Sequence, residues 1–449
     1  MKKNYDVIII GAGPAGIFSA IELVKQGIKD ILMIDKGKSV KERLPTETLF
    51  GVGGAGLFSD GKLNFTPILG KTNLTEFVPL GEANKIILDI EKIFQDFGVK
   101  EKTYPTDIKK AKEYQRIAKK VGVELYLVKQ KHLGSDRLRK HVAKMEDFLR
   151  NKGVTFLLEN SVEKILAKKG KVVGVKLSSG KTIFAQNIIA APGRAGNPWL
   201  SQELSLLGIE TEQLSFEIGV RVEIPTEIME EITSVIYDPT IFVRTPSYDD
   251  LVRTFCTNPS GFVVQEKYKS FVCVNGHANK NHFSSNSNFA LLDKVNLTEP
   301  VTDTIAYGES ICRLANTIGG GKPILQRLAD FKRFRRSTWR RLSKSYIEPT
   351  LKDVTPGDIS MAFPHRIVVN IIEALERLDK IIPGVASDST LLYAPEAKFF
   401  SVRPKIDKNL QTEIRGLFVA GDGAGISGNI VGAAATGIIA ARGIVNGGN

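Results

Sequence analysis

The residues best suited to chemistry are a group of glycines near the start of the chain and an acidic residue that follows them. The glycine turn, Gly11-Ala12-Gly13-Pro14-Ala15-Gly16, is followed by Asp35. In such a turn the first glycine permits a tight bend, the second lets the backbone approach a pyrophosphate, and the third lets a helix pack closely on a strand. The later acid accepts a hydrogen bond from a ribose hydroxyl. This pattern predicts dinucleotide binding, with these candidate contacts: Gly11, Gly13, Pro14, Ala15, Gly16, Asp35 and Lys36.

Two strands and a helix must hold these residues in place. Residues 5–10 are an apolar run typical of a buried strand, residues 17–26 have helical spacing, and residues 30–34 form a second apolar run. The helix N-terminus would offer unpaired N–H groups and the positive end of its dipole to the phosphates. The order of strand, turn, helix, strand and acid predicts a Rossmann-like unit.

A second glycine-rich segment, the glycine loop of residues 50–62, follows a polar stretch instead of a strand. We therefore predict a loop whose backbone lies against a flat ligand without intervening side chains. Lys62 would add a cation that stabilises negative charge on that ligand, and the alternative is that Lys62 is a solvated loop lysine. The candidates in this loop are Gly53, Gly54, Ala55, Gly56, Ser59 and Lys62.

The C-terminal region supplies a third group of candidates. Residues 417–420 read as a strand, residues 421–423 as a turn that carries Asp422, and residues 426–445 as a helix. The apolar stretch could instead suggest a membrane span, but its Ala and Gly richness and the strand before it favour an internal helix. A further strand ends in the small-residue turn from Ala191 to Gly193. Both chain ends should therefore meet on one cofactor.

The fold class predicted from these patterns is α/β, with a discontinuous Rossmann-like domain and an inserted mixed-sheet substrate domain. The first would comprise residues 1–209 and 347–449, with a helical insertion at about 71–130, and the second residues 210–346. Short strands separated by Pro, Asn and Ser indicate the inserted sheet. It would offer Arg253, Cys256 and His277 to a substrate, although a small buried cysteine is the plainer interpretation of Cys256.

Composition limits the possible classes of protein. Three cysteines without C-x-x-C spacing, and histidines that do not cluster, argue against a disulfide framework or a metal site and favour a reducing, cytoplasmic location. The net charge is +13, and the positively charged residues are most concentrated in residues 332–344, the basic segment. On a helix this segment would interleave cations with aromatic residues, which suits nucleic acid, anionic lipid or simply a solvated face over the core.

The chain as a whole, from near residue 1 to residue 445, resembles a family of FAD-dependent dehydrogenases among the two-dinucleotide-fold flavoproteins, related to geranylgeranyl-reductase-like enzymes. The resemblance rests on the glycine turn with Asp35 and on motifs further along the chain: Gly53 to Gly56 with Ser59 to Leu63, His132 to Asp136, Ala191 to Gly193, Arg253 to Cys256, and Gly416 to Asp422. It implies FAD as the cofactor. Where many relatives have Ala-Thr-Gly, this chain has Ala191-Pro192-Gly193, so the local contact there stays open.

The resemblance also implies roles for particular residues. Asp422 would bind the ribitol of FAD, the segment from Gly425 to Ile430 would face the flavin pyrimidine edge, and the backbone of Val162 would contact adenine. The cofactor-binding candidates added by these motifs are Val162, Ala191, Gly193, Gly421, Asp422, Gly425, Gly428, Asn429 and Ile430.

The function predicted on this basis is that of an FAD-dependent oxidoreductase acting on a small-molecule substrate by hydride transfer. No second strand-glycine-helix unit for NAD(P)H is visible, so the reductant would be transiently bound NAD(P)H or a redox partner protein. Two other classes stay open because of the basic segment. One is a flavin-dependent nucleic-acid-modifying protein, and the other is a peripheral membrane reductase of lipid-linked alkenes.

Overall fold

The computed structural model describes residues 2–447 apart from 45, 135–136, 213, 269, 279–281, 296, 298–303 and 399–401. The chain divides into two compact units. Unit 1 comprises Met1–Lys102, Gln130–Leu214 and Ser401–Asn449, and unit 2 comprises Thr103–Lys129 and Ser215–Phe400. Each unit has its own hydrophobic core.

The strands are, in chain order, β1 (Asn4–Ile10), β2 (Ile31–Ile34), β3 (Lys62–Phe65), β4 (Ile68–Leu69), β5 (Thr72–Asn73), β6 (Thr103–Tyr104), β7 (Val123–Tyr126), β8 (Lys129–His132), β9 (Thr155–Leu157), β10 (Val162–Lys168), β11 (Lys171–Leu177), β12 (Thr182–Ala190), β13 (Thr211–Glu212), β14 (Phe216–Pro225), β15 (Thr240–Arg244), β16 (Leu251–Asn258), β17 (Phe262–Lys267), β18 (Val272–His277), β19 (Asn286–Val295), β20 (Ile324–Arg327), β21 (Thr355–Pro356), β22 (Leu391–Lys398), β23 (Arg403–Pro404) and β24 (Leu417–Val419). The α-helices are α1 (Pro14–Lys25), α2 (Leu80–Asp96), α3 (Ile108–Lys120), α4 (Leu138–Asn151), α5 (Asn197–Leu206), α6 (Thr226–Thr233), α7 (Thr304–Ile318), α8 (Leu328–Phe331), α9 (Trp339–Leu342), α10 (His365–Leu378) and α11 (Ile430–Asn446).

Unit 1 is built on a sheet with the order β10-β11-β12-β1-β2-β9, and β24 also pairs with β12. β1 lies between β12 and β2, and all three run parallel, as do β2 with β9 and β12 with β24. This confirms the Rossmann-like domain. β10, β11 and β12 form an antiparallel meander in this sheet. β9 pairs with β2 and extends the parallel part of the sheet.

Helix α11 packs against α1 in the core of unit 1. The hydroxyl of Ser19 donates to the carbonyl oxygen of Gly437 at 2.9 Å, and a Cβ at Gly437 would lie 2.2 Å from the carbonyl oxygen of Ala15. Glycine is therefore required where the two helices cross. α11 is the internal helix that the sequence predicts, and none of the described helices is long and apolar enough to cross a membrane.

Unit 2 is built on a sheet with the order β21-β20-β22-β14-β19-β16-β15-β7. Its pairs are antiparallel except β20 with β21, which confirms the predicted mixed sheet. The hairpin of β17 and β18 adds a two-stranded sheet. β14 is the central strand, and every residue from Phe216 to Ile224 is buried.

The unit boundaries differ from those predicted. Residues 347–400 belong to unit 2 and not to the FAD-binding domain, because β22 pairs with β14 along its length. Residues 103–129 also belong to unit 2, since β7 extends the same sheet beside β15. Both assignments depend on strand pairing between distant parts of the chain, which local composition does not reveal.

Candidate functional site

The site in unit 1 lies at one edge of the parallel sheet. The register pairs Ile10 with both Ile34 and Ala190, and Ala190 with Val419. The carboxyl ends of β1, β2, β12 and β24 therefore lie side by side. Ligands of open α/β sheets bind at this edge. The structure thus brings together the glycine turn, Asp35, the turn after Ala191 and the turn that carries Asp422.

In the glycine turn, close packing requires two of the glycines, and the third leaves space open. Gly11 has φ of +101°, and a Cβ there would lie 2.2 Å from the carbonyl oxygen of Ala191. A Cβ at Gly16 would lie 2.0 Å from the carbonyl oxygen of Gly11, so both positions are fixed by packing. At Gly13, by contrast, the nearest atom to an added Cβ is the Cα of Gly54 at 3.8 Å. The fold leaves space open at Gly13, beside the N-terminus of α1.

Asp35 fixes the glycine turn and its neighbouring segments through backbone hydrogen bonds. Its carboxylate accepts from the backbone N–H groups of Ala12, Gly37 and Gly51, each at 2.8 Å. A carboxylate has about four acceptor positions, so one is left for a ribose hydroxyl, and that role stays a prediction. The N–H of Asn160 donates to the carbonyl oxygen of Asp35 at 3.1 Å. Val162, two residues further along the chain, therefore lies near Asp35.

Lys36, the next residue, lies over a ring and not over the glycine turn. Its ammonium nitrogen is 3.5 Å from the centroid of Phe50, and burial lowers the pKa of Lys36. The structure therefore shows a cation–π contact for Lys36, while its predicted contact with the cofactor stays a prediction.

The glycine loop lies against the glycine turn. The N–H of Gly53 donates to the carbonyl oxygen of Ala12 at 2.8 Å, and a Cβ at Gly54 would lie 3.0 Å from the Cα of Gly13. Gly56 lies at the other end, where a Cβ would meet the side chain of Ile430 at 3.3 Å. Ala55 lies between these contacts in the 3₁₀ turn Gly54–Phe58. The loop thus connects the turn with the start of α11.

A buried arginine that the sequence analysis missed holds the loop in shape. The guanidinium of Arg43 donates to the carbonyl oxygens of Val52 and Gly54, each at 2.9 Å, and to that of Glu47 at 2.6 Å. Burial lowers the pKa of Arg43. No motif indicated this role, because Arg43 stands in a polar, irregular stretch.

Lys62 and Ser59 are held within the loop itself. The hydroxyl of Ser59 donates to the carbonyl oxygen of Gly56 at 2.7 Å, and the Lys62 ammonium lies 3.1 Å from the carboxylate of Asp60. Burial alone would raise the pKa of Asp60, but Lys62 and His132 hold it below its ordinary value. Lys62 is thus a buried, paired lysine and not a solvated one. Ser135 and Asp136, the last residues of the motif that begins with His132, lie outside the described residues.

Asp422 is the most strongly paired acid of this edge. Its carboxylate forms ion pairs with Lys71 and, at 3.0 Å, with Arg194. Burial alone would raise the pKa of Asp422, but Arg194 and Lys71 hold it below its ordinary value, so Asp422 is ionised at neutral pH. The sequence analysis missed both cations.

The turns around Asp422 pack tightly. A Cβ at Gly423 would lie 2.5 Å from the carbonyl oxygen of Gly193, and a Cβ at Gly421 would lie 3.0 Å from the Cβ of Ala15. Gly193 itself has φ of +69° and no atom within 4 Å of an added Cβ. The close approach of these turns fixes Asp422 beside the N-terminal turn of α1.

The segment from Gly425 to Ile430 leads into α11, which begins later than predicted because Asn429 caps it. The side chain of Asn429 accepts from the N–H of Gly432 at 2.7 Å. Thr72 accepts from the N–H of Gly428 at 3.1 Å and from the Asn429 amide at 3.2 Å. The buried hydroxyl of Ser427 has no hydrogen-bond partner among the described residues. A buried polar atom in this state is suited to a bound ligand.

The candidates in unit 2 have structural partners. Arg253 is buried and forms a two-pronged ion pair with Glu217 at 2.7 and 2.5 Å. Cys256 has φ of +51°, and its carbonyl oxygen accepts from Arg221 at 3.1 Å. His277 ends β18 opposite Phe262 of β17. The predicted substrate roles of Arg253, Cys256 and His277 stay predictions.

Family models match both units. A model of an FAD binding domain matches residues 4–43, which contain the glycine turn and Asp35. A model described as FAD-dependent protein, C-terminal domain-like, matches residues 215–399, which lie in unit 2. Both models describe proteins that bind or depend on FAD, so the chain is similar to FAD-dependent proteins in both units. FAD is therefore the cofactor for which the edge of the sheet in unit 1 is built.

Relatives of this chain are distant or match only in part. An uncharacterized protein of Clostridium beijerinckii is 27% identical over 477 residues, which cover 98% of this chain and 80% of that protein. Digeranylgeranylglycerophospholipid reductase of Methanocella arvoryzae is 44% identical over 57 residues, or 13% of this chain and 14% of the reductase. The structure of 3-ketosteroid-delta4-(5alpha)-dehydrogenase from Rhodococcus jostii superposes with a TM-score of 0.45 at 12% identity, covering 99% of this chain and 96% of that one. None of these similarities assigns a substrate to this chain.

Proposed function

We propose that unit 1 binds FAD noncovalently and that the protein oxidises or reduces a small-molecule substrate by hydride transfer at the flavin. The open space at Gly13, beside the N-terminus of α1, fits a pyrophosphate. The unpaired hydroxyl of Ser427 fits a polar group of the cofactor.

The observation that carries this proposal is the ionised cluster of Asp422 with Lys71 and Arg194 at the edge of the sheet. The resemblance implies that Asp422 binds the ribitol and that the segment beginning with Gly425 faces the pyrimidine edge. The Lys71 side chain also packs on Gly428, where a Cβ would lie 3.1 Å from its Cγ. The cluster thus combines an acceptor for sugar hydroxyls with a buried cation.

Lys71, and not Lys62, is the lysine that we propose to tune the flavin. A cation that is fixed in place stabilises negative charge where it develops on reduction, and it is most effective where water is excluded. Lys71 is buried beside Asp422 and Gly428. Lys62 is buried too, but its pair with Asp60 is neutral as a whole, whereas Lys71 and Arg194 share the single carboxylate of Asp422 and leave a net positive charge.

Substitution of Lys71 by methionine should lower the flavin midpoint potential. Methionine keeps the packing of the stem on Gly428 and removes the charge, while Arg194 still pairs with Asp422. We expect a decrease of roughly 30–60 mV, measured by dye-coupled anaerobic reduction, since 30 mV corresponds to about 1.4 kcal/mol for a two-electron couple. Lys62→Met is the matched control and should leave the potential unchanged. The opposite result, with Lys62→Met lowering the potential and Lys71→Met silent, would contradict this assignment.

The substrate, the electron donor and the location of the protein are further parts of the proposal. Transient NAD(P)H and a redox partner protein are the two donors considered, and anaerobic reduction with NADH and with NADPH, followed by reoxidation with candidate acceptors, distinguishes them.

The free thiols of Cys273 and Cys312, with sulfur atoms 3.9 Å apart and no disulfide between them, support a reducing, cytoplasmic location.

A further inference from the structure

The basic segment has a structure that differs from the single helix considered from the sequence. α8 ends at Phe331, and α9 covers only Trp339–Leu342. Between them Phe334 adopts φ of +49°, which a continuous helix does not permit. The segment therefore consists of a turn followed by the four-residue helix α9. Side chains that the buried face of one continuous helix would have covered are exposed instead.

The large apolar residues of this segment and its flanks separate into two groups. Phe331 and Leu342 are buried and belong to the core of unit 2 or its neighbouring cluster. Phe334 and Trp339 are 51% and 58% exposed, and Tyr346, just beyond the segment, is 66% exposed. The Phe334 ring is tilted against that of His365 with the centroids 6.2 Å apart, and the Tyr346 hydroxyl shares a hydrogen bond with Ser387 at 2.9 Å, yet all three rings stay more than half exposed. Isolated exposed apolar residues are common, but three large exposed rings within thirteen residues of chain are an unusual concentration.

The charges around these rings are largely uncompensated. Lys332 and Arg335 pair with Glu376 and Asp330. Among the described residues no carboxylate lies within ion-pair distance of the other five cations, which are Arg333, Arg336, Arg340, Arg341 and Lys344. The sequence contains no acidic residue between positions 331 and 347. The result is a positively charged surface with aromatic rings set among the cations.

We propose that this surface docks unit 2 on an anionic phospholipid bilayer. Cations attract acidic headgroups, while Trp and Tyr rings settle at the headgroup level and a Phe ring enters more deeply. A nucleic acid would also attract the charges. The bilayer is favoured because the rings alternate with cations along the chain, so each ring can be buried among lipids while the neighbouring cations stay at the phosphates. The inference goes beyond the proposed redox function and does not depend on it.

The experiment is flotation of the flavin-loaded full chain with vesicles of phosphatidylcholine, with and without roughly one third phosphatidylserine. The charge variant is Arg336→Ser with Arg340→Ser, and the ring variant is Trp339→Ala. The matched control, Lys109→Ser with Lys112→Ser, removes the same charge from the exposed face of α3 in the same unit. Retained flavin content and circular dichroism establish that each variant is folded.

The proposal predicts binding to the anionic vesicles alone, weakened by salt. The charge variant should bind about 30-fold more weakly, since each cation near an anionic surface contributes about a fivefold factor. The ring variant should also bind several-fold more weakly, and the α3 control should match the wild type. Equal losses in the control and the charge variant would overturn the proposal, as would binding of tRNA in the absence of any vesicle binding.

Discussion

Substitution of Gly13 by valine should abolish tight FAD binding while leaving the fold intact. Gly13 has φ of −75° and ψ of −174°, which any residue can adopt, and an added Cβ would meet no atom closer than 3.8 Å. The position therefore accepts a Cβ, and the further methyl groups of valine would fill the space that a pyrophosphate needs. Loss of two charge-assisted hydrogen bonds corresponds to a rise in Kd of about 100-fold or more.

The measurement is titration of the flavin-depleted protein with FAD, followed by the quenching of flavin fluorescence. Gly81→Val is the matched control, because no atom lies within 4 Å of a Cβ at Gly81 and this position is far from the glycine turn in the sequence. The control should bind FAD like the wild type. A Kd for Gly13→Val equal to that of the control would show that the space at Gly13 does not hold the pyrophosphate.

Substitution of Arg221 by methionine should strongly destabilise unit 2. Arg221 and Glu396 are fully buried, and the guanidinium donates to both carboxylate oxygens at 2.6 Å. Burial alone would lower the pKa of Arg221, but Glu396 raises it above its ordinary value. Removing one partner of a buried pair leaves an uncompensated charge, which costs about 3–5 kcal/mol. Lys398, 3.2 Å from Glu396, should keep the cost near the lower value.

Hydrogen exchange of the amides of β14, measured by mass spectrometry, reports this loss of stability within unit 2 without assuming that the whole chain unfolds in one step. Adding Glu396→Gln to Arg221→Met should restore part of the protection, since the orphan charge is then absent. Arg366→Met, which removes the partly exposed pair with Asp250, is the control and should cost less than about 1 kcal/mol. Equal protection in Arg221→Met and this control would contradict the account.

The cofactor edge of unit 1 could be predicted because its constraints are local. Gly16 is required by the carbonyl oxygen of Gly11 within the turn itself, and Gly11 has a positive φ, so the spacing of the two glycines in the sequence is informative. The same holds for the turn that carries Asp422, since a short strand and a helix flank it directly.

The rest of the site could not be predicted because it depends on contacts between distant segments. Lys71 meets Asp422 from the other end of the chain, and Arg43 acts on backbone carbonyls that have no sequence signature. β22 carries Pro395, Glu396 and Lys398, which hide the apolar pattern of a central strand. The pairing of Glu396 with Arg221 and with Lys398 explains why such a residue is buried.

The central claim is that unit 1 holds a dinucleotide, with the pyrophosphate at the glycine turn and the ribitol at Asp422. It is tested most directly by titrating the flavin-depleted protein with FAD and, separately, with FMN. FMN has the ribitol and one phosphate but neither the second phosphate nor the adenosine. The account predicts that FAD binds about 100-fold more tightly or better, because FMN lacks the contacts that the second phosphate makes at the N-terminus of α1 and those of the adenosine. Equal affinities for FMN and FAD, or no binding of either, would contradict it.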